Sequence, residues 1–540
     1  MSRLTILAAA LIALALPALA GPIVNAPAGS LEGKTDGDIR VFEGIPYAAP
    51  PVGSARWTPP QPAASWTGVR PATSFGAACV QPVGGPPSIY TDPPAKMSED
   101  CLYLNVWTPA AAKKAPVIVW IHGGALLGGY SHEALYDGGP WAKRGVVVVT
   151  INYRLGVLGW LAHPELSAES PDHISGNYGL LDEIAALQWV KRNIAAFGGD
   201  PANVTVAGES AGGLSVLYLM ASPPARGLFA KAIAESAYMV SMPELKTEKF
   251  GAPSAEAAGA ALAVKLGKTS LAELRAMDPK TLTLMAALSG YGPQGTVDGK
   301  TLTQMVDAFD AGQQAHVPLL IGFNAGEIHS LRALAPKPPA SAADYEATIR
   351  AHYGDLAGAF LKLYPSGDLE ESITATTRDA LYGWTAARAA TKQAAIGERA
   401  YVYLFDHSYP AADDKGMHAF HGSELPFVFG TTDRTPPNWP KPPADATTAA
   451  LSDAMVGYWT SFAATGRPTA AGAPAWPLWT AAGAYMHFTD TPHAEPSLMP
   501  GMYELQEAVV CRRRAAGTVG WNWNVGLWAP AAPAKVKGCG

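Results

Sequence analysis

The stretch best suited to chemistry is Gly-Glu-Ser-Ala-Gly at positions 208–212, which follows a β-branched run and precedes an apolar one. That order predicts a strand, a sharp turn and a helix, with Ser210 at the turn. Strand and helix crowd together there, so the residues two before and two after the serine must be small, as Gly208 and Gly212 are. The start of the helix would aim the N–H of Ala211 at an anion. The motif alone is weak in a chain with 55 glycines, but its strand and helix context favours Ser210 as a nucleophile.

A serine hydroxyl also needs a base within reach, held in place by a third group. Among twelve histidines, His421 is favoured because it lies in a loop after the last clear strand, and His418 is a rival three residues away. The acid should follow a strand between serine and histidine. Glu327 does so after the strand at 318–322, and Asp406 competes. The order serine, acid, histidine is that of α/β hydrolases, and the residues alone leave both choices open.

The negative oxygen formed by serine attack needs fixed hydrogen-bond donors. An apolar run at 116–121 leads directly into His-Gly-Gly-Ala at 122–125, a turn with little side chain to block its amides. Ala211 supplies a further N–H from the predicted helix. His122 precedes the glycines, which favours a structural role over a catalytic one.

The elements that must position these residues follow from hydrophobic patterning. Partly alternating runs at 39–47 and 102–107 predict antiparallel strands, whereas the almost continuously apolar runs at 116–121 and 145–151 predict central strands covered on both faces. An apolar stripe over 180–194 indicates an amphipathic helix. Further helices are expected at 254–266, 271–277 and 301–314, and the Pro-rich stretches 336–339 and 436–443 are expected as rigid surface loops near the site entrance. The fold class is α/β with a largely parallel sheet.

Composition bounds the class of protein. The chain has 540 residues, 48% hydrophobic and 16% charged, with a formal net charge of −6. Such a balance argues against a nucleic-acid partner because no basic excess exists to neutralise phosphates. The one basic run, 512–514, is expected on a solvated helix face.

The N-terminus predicts export. Arg3 is followed by an apolar stretch at 4–16 and by small residues ending at Ala20. This pattern is typical of a signal peptide over 1–20, and the stretch is short for a membrane anchor. We expect a secreted or periplasmic protein with no membrane anchor, and one domain over 21–540.

Four cysteines fit an oxidising compartment. Cys79 and Cys101 flank a Pro/Gly-rich segment that has little means of ordering itself, and a bridge between them would contribute roughly 3 kcal/mol. Whether Cys511 and Cys539 are bonded stays open, because Cys539 is the penultimate residue.

Seven motifs together resemble the type B carboxylesterases, an α/β-hydrolase family that includes cholinesterases and bacterial p-nitrobenzyl esterases. The resemblance spans about residues 42 to 488, and its motifs lie at 42–47, 98–106, 122–125, 152–154, 176–182, 197–201 and 208–213. It implies a fold with helical insertions around the entrance and ester hydrolysis without metal or organic cofactor. It also implies the triad Ser210, Glu327 and His421, donors at Gly124, Ala125 and Ala211, and a disulfide from Cys79 to Cys101.

Three departures from the family pattern bear on the substrate. Ala125 replaces a frequent third glycine, Leu126 replaces an aromatic residue, and Ile328 follows the acid where glycine is common. An alanine N–H can still donate, so we expect a reshaped acyl pocket in an active enzyme. Within the family the chain resembles the bacterial fumonisin esterases, which remove tricarballylate from a long amino-polyol. The expected partner is therefore a small ester, with a polycarboxylate acyl group as the narrower prediction.

Three other functions compete with that narrower one. A general carboxylesterase would share every motif. A catalytically silent adhesion protein is known in the superfamily, but such proteins lose the serine, and here all three triad positions carry competent residues. A lipase would show activation by emulsified substrate, which the sequence neither favours nor excludes.

Overall fold

A large mixed sheet forms the centre of the computed structural model, which describes residues 21–83, 85, 88–521 and 525–539. The signal peptide predicted for 1–20 lies outside these residues. Within them the strands, in chain order, are β1 (Ile23–Ala26), β2 (Gly29–Glu32), β3 (Lys34–Asp36), β4 (Ile39–Pro46), β5 (Val69–Pro71), β6 (Ala78–Cys79), β7 (Met97–Ser98), β8 (Tyr103–Pro109), β9 (Ala115–Ile121), β10 (Val147–Ile151), β11 (Gly199–Glu209), β12 (Lys231–Glu235), β13 (Leu319–Asn324), β14 (Ala400–Phe405), β15 (Tyr485–Phe488) and β16 (His493–Glu495).

The helices connect these strands and cover them. The α-helices of the described residues are α1 (Gly139–Lys143), α2 (Gly156–Trp160), α3 (Pro164–Glu169), α4 (Tyr178–Asn193), α5 (Ala211–Ala221), α6 (Ala255–Lys265), α7 (Leu271–Arg275), α8 (Pro279–Leu288), α9 (Met305–Asp310), α10 (Ala342–Tyr353), α11 (Ala357–Leu363), α12 (Leu369–Arg378), α13 (Trp384–Ala395), α14 (Pro410–Asp413), α15 (Leu425–Phe429), α16 (Ala446–Thr465) and α17 (Met502–Ala516). A π-helical turn, Asp379–Gly383, joins α12 to α13. Short 3₁₀ turns lie at Gly53–Ala55, Ala134–Tyr136, Ile194–Phe197, Pro223–Ala225, Arg332–Leu334, Gly354–Leu356 and Gly526–Trp528.

The sheet has eleven strands in the order β16-β15-β14-β13-β12-β11-β9-β10-β8-β4-β3. Neighbours from β10 through β15 run parallel. β3, β4 and β8 pair antiparallel at one edge and β16 at the other. The predicted α/β class with a largely parallel sheet is confirmed, as is the antiparallel entry strand at 39–47.

Both faces of the sheet are buried because alternate residues enter two separate apolar clusters. On β9, Val117, Val119 and Ile121 enter one cluster, whereas Ile118 and Trp120 enter the other. α4, α5, α9 and α13 lie on the first side, and α1, α15 and α16 on the second. This arrangement explains why the central strands are apolar without alternation.

The helix predicted for 301–314 is wrong in extent, since α9 spans only Met305–Asp310. The preceding residues turn around Asp298, whose Oδ1 accepts the backbone N–H groups of Lys300, Thr301 and Leu302 at 2.9, 2.6 and 3.1 Å. A side chain that captures three successive amides offers the backbone an alternative to helical hydrogen bonds.

The basic run is also placed differently from the prediction. Arg512 and Arg513 are each 1% exposed. Arg512 donates to both carboxylate oxygens of Asp355, at 2.6 and 2.8 Å, and Arg514 pairs with Asp310 at 2.9 Å. The run anchors α17 to the body of the protein and is not a solvated face.

One disulfide closes the loop between residues 79 and 101, and a second links α17 to the C-terminal end of the chain. Cys79 is bonded to Cys101, and Cys511 to Cys539. Across the described residues, no helix is both long and apolar enough to span a bilayer.

Candidate active site

Ser210 lies at the sharp turn between β11 and α5. Its backbone has φ 56° and ψ −119°, a conformation that L-residues rarely adopt. A Cβ on Gly208 would lie 2.5 Å from the carbonyl carbon of Gly212, and one on Gly212 would lie 2.0 Å from the Ile121 oxygen. The two glycines predicted from the motif therefore let strand, helix and the β9 turn approach one another.

Glu327 and His421 are hydrogen bonded through Glu327 Oε2 and His421 Nδ1. Glu327 is fully buried, and its other oxygen accepts from the Ser236 hydroxyl at 2.7 Å and from the Asn324 N–H at 2.9 Å. The carboxylate is thus held on both oxygens. Because Nδ1 is engaged with Glu327, Nε2 is the nitrogen left to accept a proton.

The two rival residues lie elsewhere. His418 has a side chain 55% exposed and pairs with Asp413 at 2.7 Å. Asp406 is half exposed and accepts from His487 at 3.2 Å. Neither lines the cavity that contains Ser210 and His421.

Two of the three residues predicted to bind an oxyanion line the cavity of Ser210, and the third follows Ser210 in the chain. Gly124 and Ala125 line the same cavity as Ser210, and Ala211 is the first residue of α5. Within the part of the chain that the structure describes, no hydrogen-bond acceptor is recorded for the N–H of Gly124 or Ala125. Ala125 has φ 56°, so the usual glycine is replaced here at a left-handed position, at a cost of roughly 1–2 kcal/mol. His122 is buried, hydrogen bonds to Gly123 and stacks on Tyr153, which fits a structural role.

A cavity of about 910 Å³ opens over the serine, and its walls are mainly apolar and aromatic. Leu127, Tyr238, Leu381, Tyr382 and Trp439 are among its lining residues. Trp439 belongs to the Pro-rich stretch 436–443, which was expected near the entrance.

Of the two residues on which the prediction of a reshaped acyl pocket rests, Ala125 lines the cavity and Leu126 does not. Leu126 is 1% exposed and packs into the core, and the cavity wall is formed by its neighbours Ala125 and Leu127. Leu126 has φ 57°, directly after the left-handed Ala125. Two successive left-handed residues change the direction of the chain, so that 126 points inward.

Two carboxylates act on His421. Nε2 lies 3.2 Å from Glu209 Oε1, and Nδ1 is bonded to Glu327. Burial alone would lower the pKa of His421, but the two carboxylates outweigh it and raise this pKa to about 9. Burial likewise raises the pKa of Glu209 to about 7, although His421 opposes the effect.

Glu133 and Arg332 also line the cavity. Glu133 accepts from the Thr91 hydroxyl at 2.9 Å, and its Oε2 has no hydrogen-bond partner among the described residues. Burial raises the pKa of Glu133 to about 8, so this carboxyl is mostly neutral at pH 7. Arg332 is the one arginine or lysine among the described lining residues, and it is paired with Glu370 through two contacts of 2.5 and 3.0 Å.

Sequence reasoning missed several of these residues. Ser236 follows β12 and reaches Glu327 only because β12 and β13 are neighbours. Tyr90 and Tyr382 place their rings 6.0 and 5.5 Å from the His421 ring. No local pattern marks Glu133 or Tyr90, whereas Ser236 directly follows β12, and functional side chains gather at the carboxyl ends of strands in α/β sheets.

Known proteins match this chain along most of its length. The profile of the Carboxylesterase family matches residues 20–505. The chain is 36% identical over 473 residues to the fumonisin B1 esterase of Sphingopyxis macrogoltabida, covering 85% of each chain. It is 38% identical over 463 residues to the para-nitrobenzyl esterase of Bacillus subtilis, covering 83% of this chain and 90% of that one.

Solved structures agree. A PNB esterase superimposes with a TM-score of 0.75 at 35% identity, covering 88% of this chain and 96% of the other. A carboxylesterase of Geobacillus stearothermophilus gives 0.75 at 34% identity, covering 92% and 100%. With its elbow serine and apolar cavity, this chain therefore belongs to the carboxylesterase family of α/β hydrolases and is a carboxylic ester hydrolase.

Proposed function

We propose that Ser210, His421 and Glu327 hydrolyse carboxylic esters through an acyl-enzyme intermediate. The observation that supports this most directly is the buried Glu327–His421 hydrogen bond beside the cavity that Ser210 also lines. Glu327 fixes the imidazole with Nε2 available as the base. The elbow exposes the serine hydroxyl at the same cavity.

The reaction has two matched halves. His421 Nε2 takes the proton of Ser210 as Oγ attacks the ester carbon, and the amides of Gly124, Ala125 and Ala211 bind the oxyanion. The protonated imidazole then gives its proton to the leaving alkoxide, which departs as the alcohol. In the second half a water attacks the acyl carbon and gives a proton to His421, which passes that proton to Ser210 Oγ as the bond from Oγ to the acyl carbon breaks and the carboxylic acid leaves.

A histidine exchange tests the assignment of the base. His421→Ala should reduce kcat on a neutral activated ester by at least about 10³. His418→Ala is the matched control, since His418 is also paired with a carboxylate but lies on the surface, and it should keep wild-type kcat. Equal losses in both variants, with unchanged melting temperatures, would show that the base is misassigned.

The acyl specificity favours neutral or weakly charged groups. At pH 7 Glu133 is mostly neutral, and the charge of Arg332 is offset by Glu370. A carboxylate entering this cavity finds its cationic groups already paired, because Arg332 is bound to Glu370 and His421 lies between Glu209 and Glu327. A general carboxylesterase with a roomy apolar pocket therefore fits the cavity best.

Fumonisin-type hydrolysis is the second candidate, supported by Arg332 in the cavity wall and by the 36% identical fumonisin B1 esterase. An arginine can meet a carboxylate with two charge-assisted hydrogen bonds. The test compares kcat/KM for a tricarballylate monoester and a butyrate ester of one long-chain alcohol. Preference for the tricarballylate ester, lost selectively in Arg332→Gln, supports this candidate. A butyrate preference of about tenfold or more leaves only the general esterase.

We further propose export with cleavage after Ala20, and one domain over 21–540. Two disulfides fit an oxidising compartment. Mass measurement of the protein exported from its host should show a mature chain beginning at Gly21.

A further inference from the structure

The outer edge of the sheet has a cluster of imidazoles and carboxylates that ester hydrolysis does not use. His487 on β15 lies directly opposite His493 on the antiparallel strand β16. Glu495 is two residues beyond His493 and therefore shares its face of the strand. One ligand atom from each of these three lies within 4.8 Å of the others. Asp406, just after β14, brings a fourth group to His487.

Two distances within this cluster match those between the ligand atoms of a small tetrahedral cation. His487 Nε2 lies 3.2 Å from Asp406 Oδ2, and His493 Nε2 lies 3.3 Å from Glu495 Oε1. In a tetrahedron with metal–ligand bonds of about 2.0–2.1 Å, ligand atoms are about 3.3–3.4 Å apart. Two edges of such a polyhedron are therefore already formed. The side chains are between 18% and 46% exposed, so small rotations can close the remaining edges.

The tautomer of His493 points to the same conclusion. Its Nδ1 lies 3.0 Å from the carbonyl oxygen of Thr491, which can only accept, so Nδ1 carries the hydrogen. In the neutral ring Nε2 then presents a lone pair toward Glu495. Two lone-pair atoms facing each other need a proton or a cation between them. A histidine that donates one N–H to a backbone carbonyl and offers the other nitrogen is the usual form of a metal ligand.

We propose that His487, His493 and Glu495, with Asp406 as the fourth group, bind one divalent transition-metal ion of the Zn²⁺ type. Mixed imidazole and carboxylate ligands suit Zn²⁺ better than Mg²⁺ or Ca²⁺, which prefer oxygen alone. The four groups come from β15, β16 and the residue that follows β14, so the ion would fasten the three-residue edge strand to the sheet. None of the four lines the catalytic cavity, and the site is therefore independent of the esterase mechanism.

The test is calorimetric titration of Zn²⁺ into the metal-stripped full-length mature chain, prepared without a histidine tag. We expect one ion per chain in the wild type. His493→Ala and Glu495→Gln should each weaken binding by at least about 100-fold, since losing even an outer partner of a metal site costs 10–100-fold. His316→Ala is the matched control, because His316 is exposed and its Nε2 lies 3.3 Å from the backbone carbonyl of Gly312. It should bind as the wild type does.

A second readout guards against variants that fail to fold. Saturating Zn²⁺ should raise the melting temperature of the wild type and of His316→Ala by about 2 °C or more, and that of His493→Ala by much less. Kinetics on a neutral ester should not change in any of these variants. No binding by the wild type, or binding that survives both His487→Ala and His493→Ala, would overturn the proposal and leave two separate imidazole–carboxylate pairs.

Discussion

The pH dependence of catalysis should be set by Glu209 as much as by Glu327. Glu209 Oε1 lies 3.2 Å from His421 Nε2. At an effective dielectric constant of about 20, a charge at that distance favours the imidazolium by about 5 kcal/mol, or almost 4 pH units. Burial opposes this, and the pKa of His421 is raised to about 9. Only the neutral imidazole can accept the serine proton, so kcat/KM should rise as pH increases toward 9.

Glu209→Gln removes the charge at nearly constant shape and should move this rise to lower pH by at least about one unit. The assay is kcat/KM for a p-nitrophenyl butyrate ester between pH 5.5 and 10 at constant ionic strength, corrected for spontaneous hydrolysis. Glu133→Gln is the control, since Glu133 lines the cavity without touching His421, and its profile should match the wild type. A rise near pH 6.5 in both wild type and Glu209→Gln would refute the electrostatic reasoning.

Two further changes probe the structure. Gly212→Ala places a methyl 2.0 Å from the Ile121 oxygen and should lower the free energy of unfolding in urea by about 3 kcal/mol or more. Gly358→Ala is the control, because a Cβ there meets nothing within 4 Å, and it should leave stability unchanged or raise it by up to about 1 kcal/mol. Equal stability of the two variants would contradict the crowding at the elbow. Replacing both Cys79 and Cys101 by alanine should lower the free energy of unfolding by roughly 3 kcal/mol. A loss below about 1 kcal/mol would mean that the bridge restrains little.

Short sequence patterns predict the elements that are determined by residues close together in the chain. The central strands are apolar throughout because helices cover both faces, and the elbow needs glycines because three backbones meet there. Each cause leaves a signature within a few residues. The helix predicted for 301–314 begins too early. Asp298, which precedes that segment, accepts hydrogen bonds from the backbone amides that would have begun the helix.

The environment of the site depended on contacts between distant segments. Ser236 reaches Glu327 across 91 positions, and Glu133 enters the cavity with no motif around it. The side chain of Leu126 points inward because residues 125 and 126 both have left-handed backbone conformations. Alanine and leucine rarely adopt that conformation, so the sequence does not predict it. The run of three arginines at 512–514 likewise predicts a solvated helix face. Its acidic partners Asp355 and Asp310 lie far away in the chain, so no local pattern indicates that the run is buried.

Ser210 is the nucleophile in the proposed mechanism, and covalent trapping tests this assignment most directly. The chain is incubated with a serine-reactive alkyl phosphonate, digested and mapped by mass spectrometry, alongside Ser210→Ala and His421→Ala. We expect one adduct per chain, on Ser210, with no adduct in Ser210→Ala and labelling slowed by at least about 10³ in His421→Ala. An adduct on another residue, or ester hydrolysis that persists at the wild-type rate in Ser210→Ala, would contradict it.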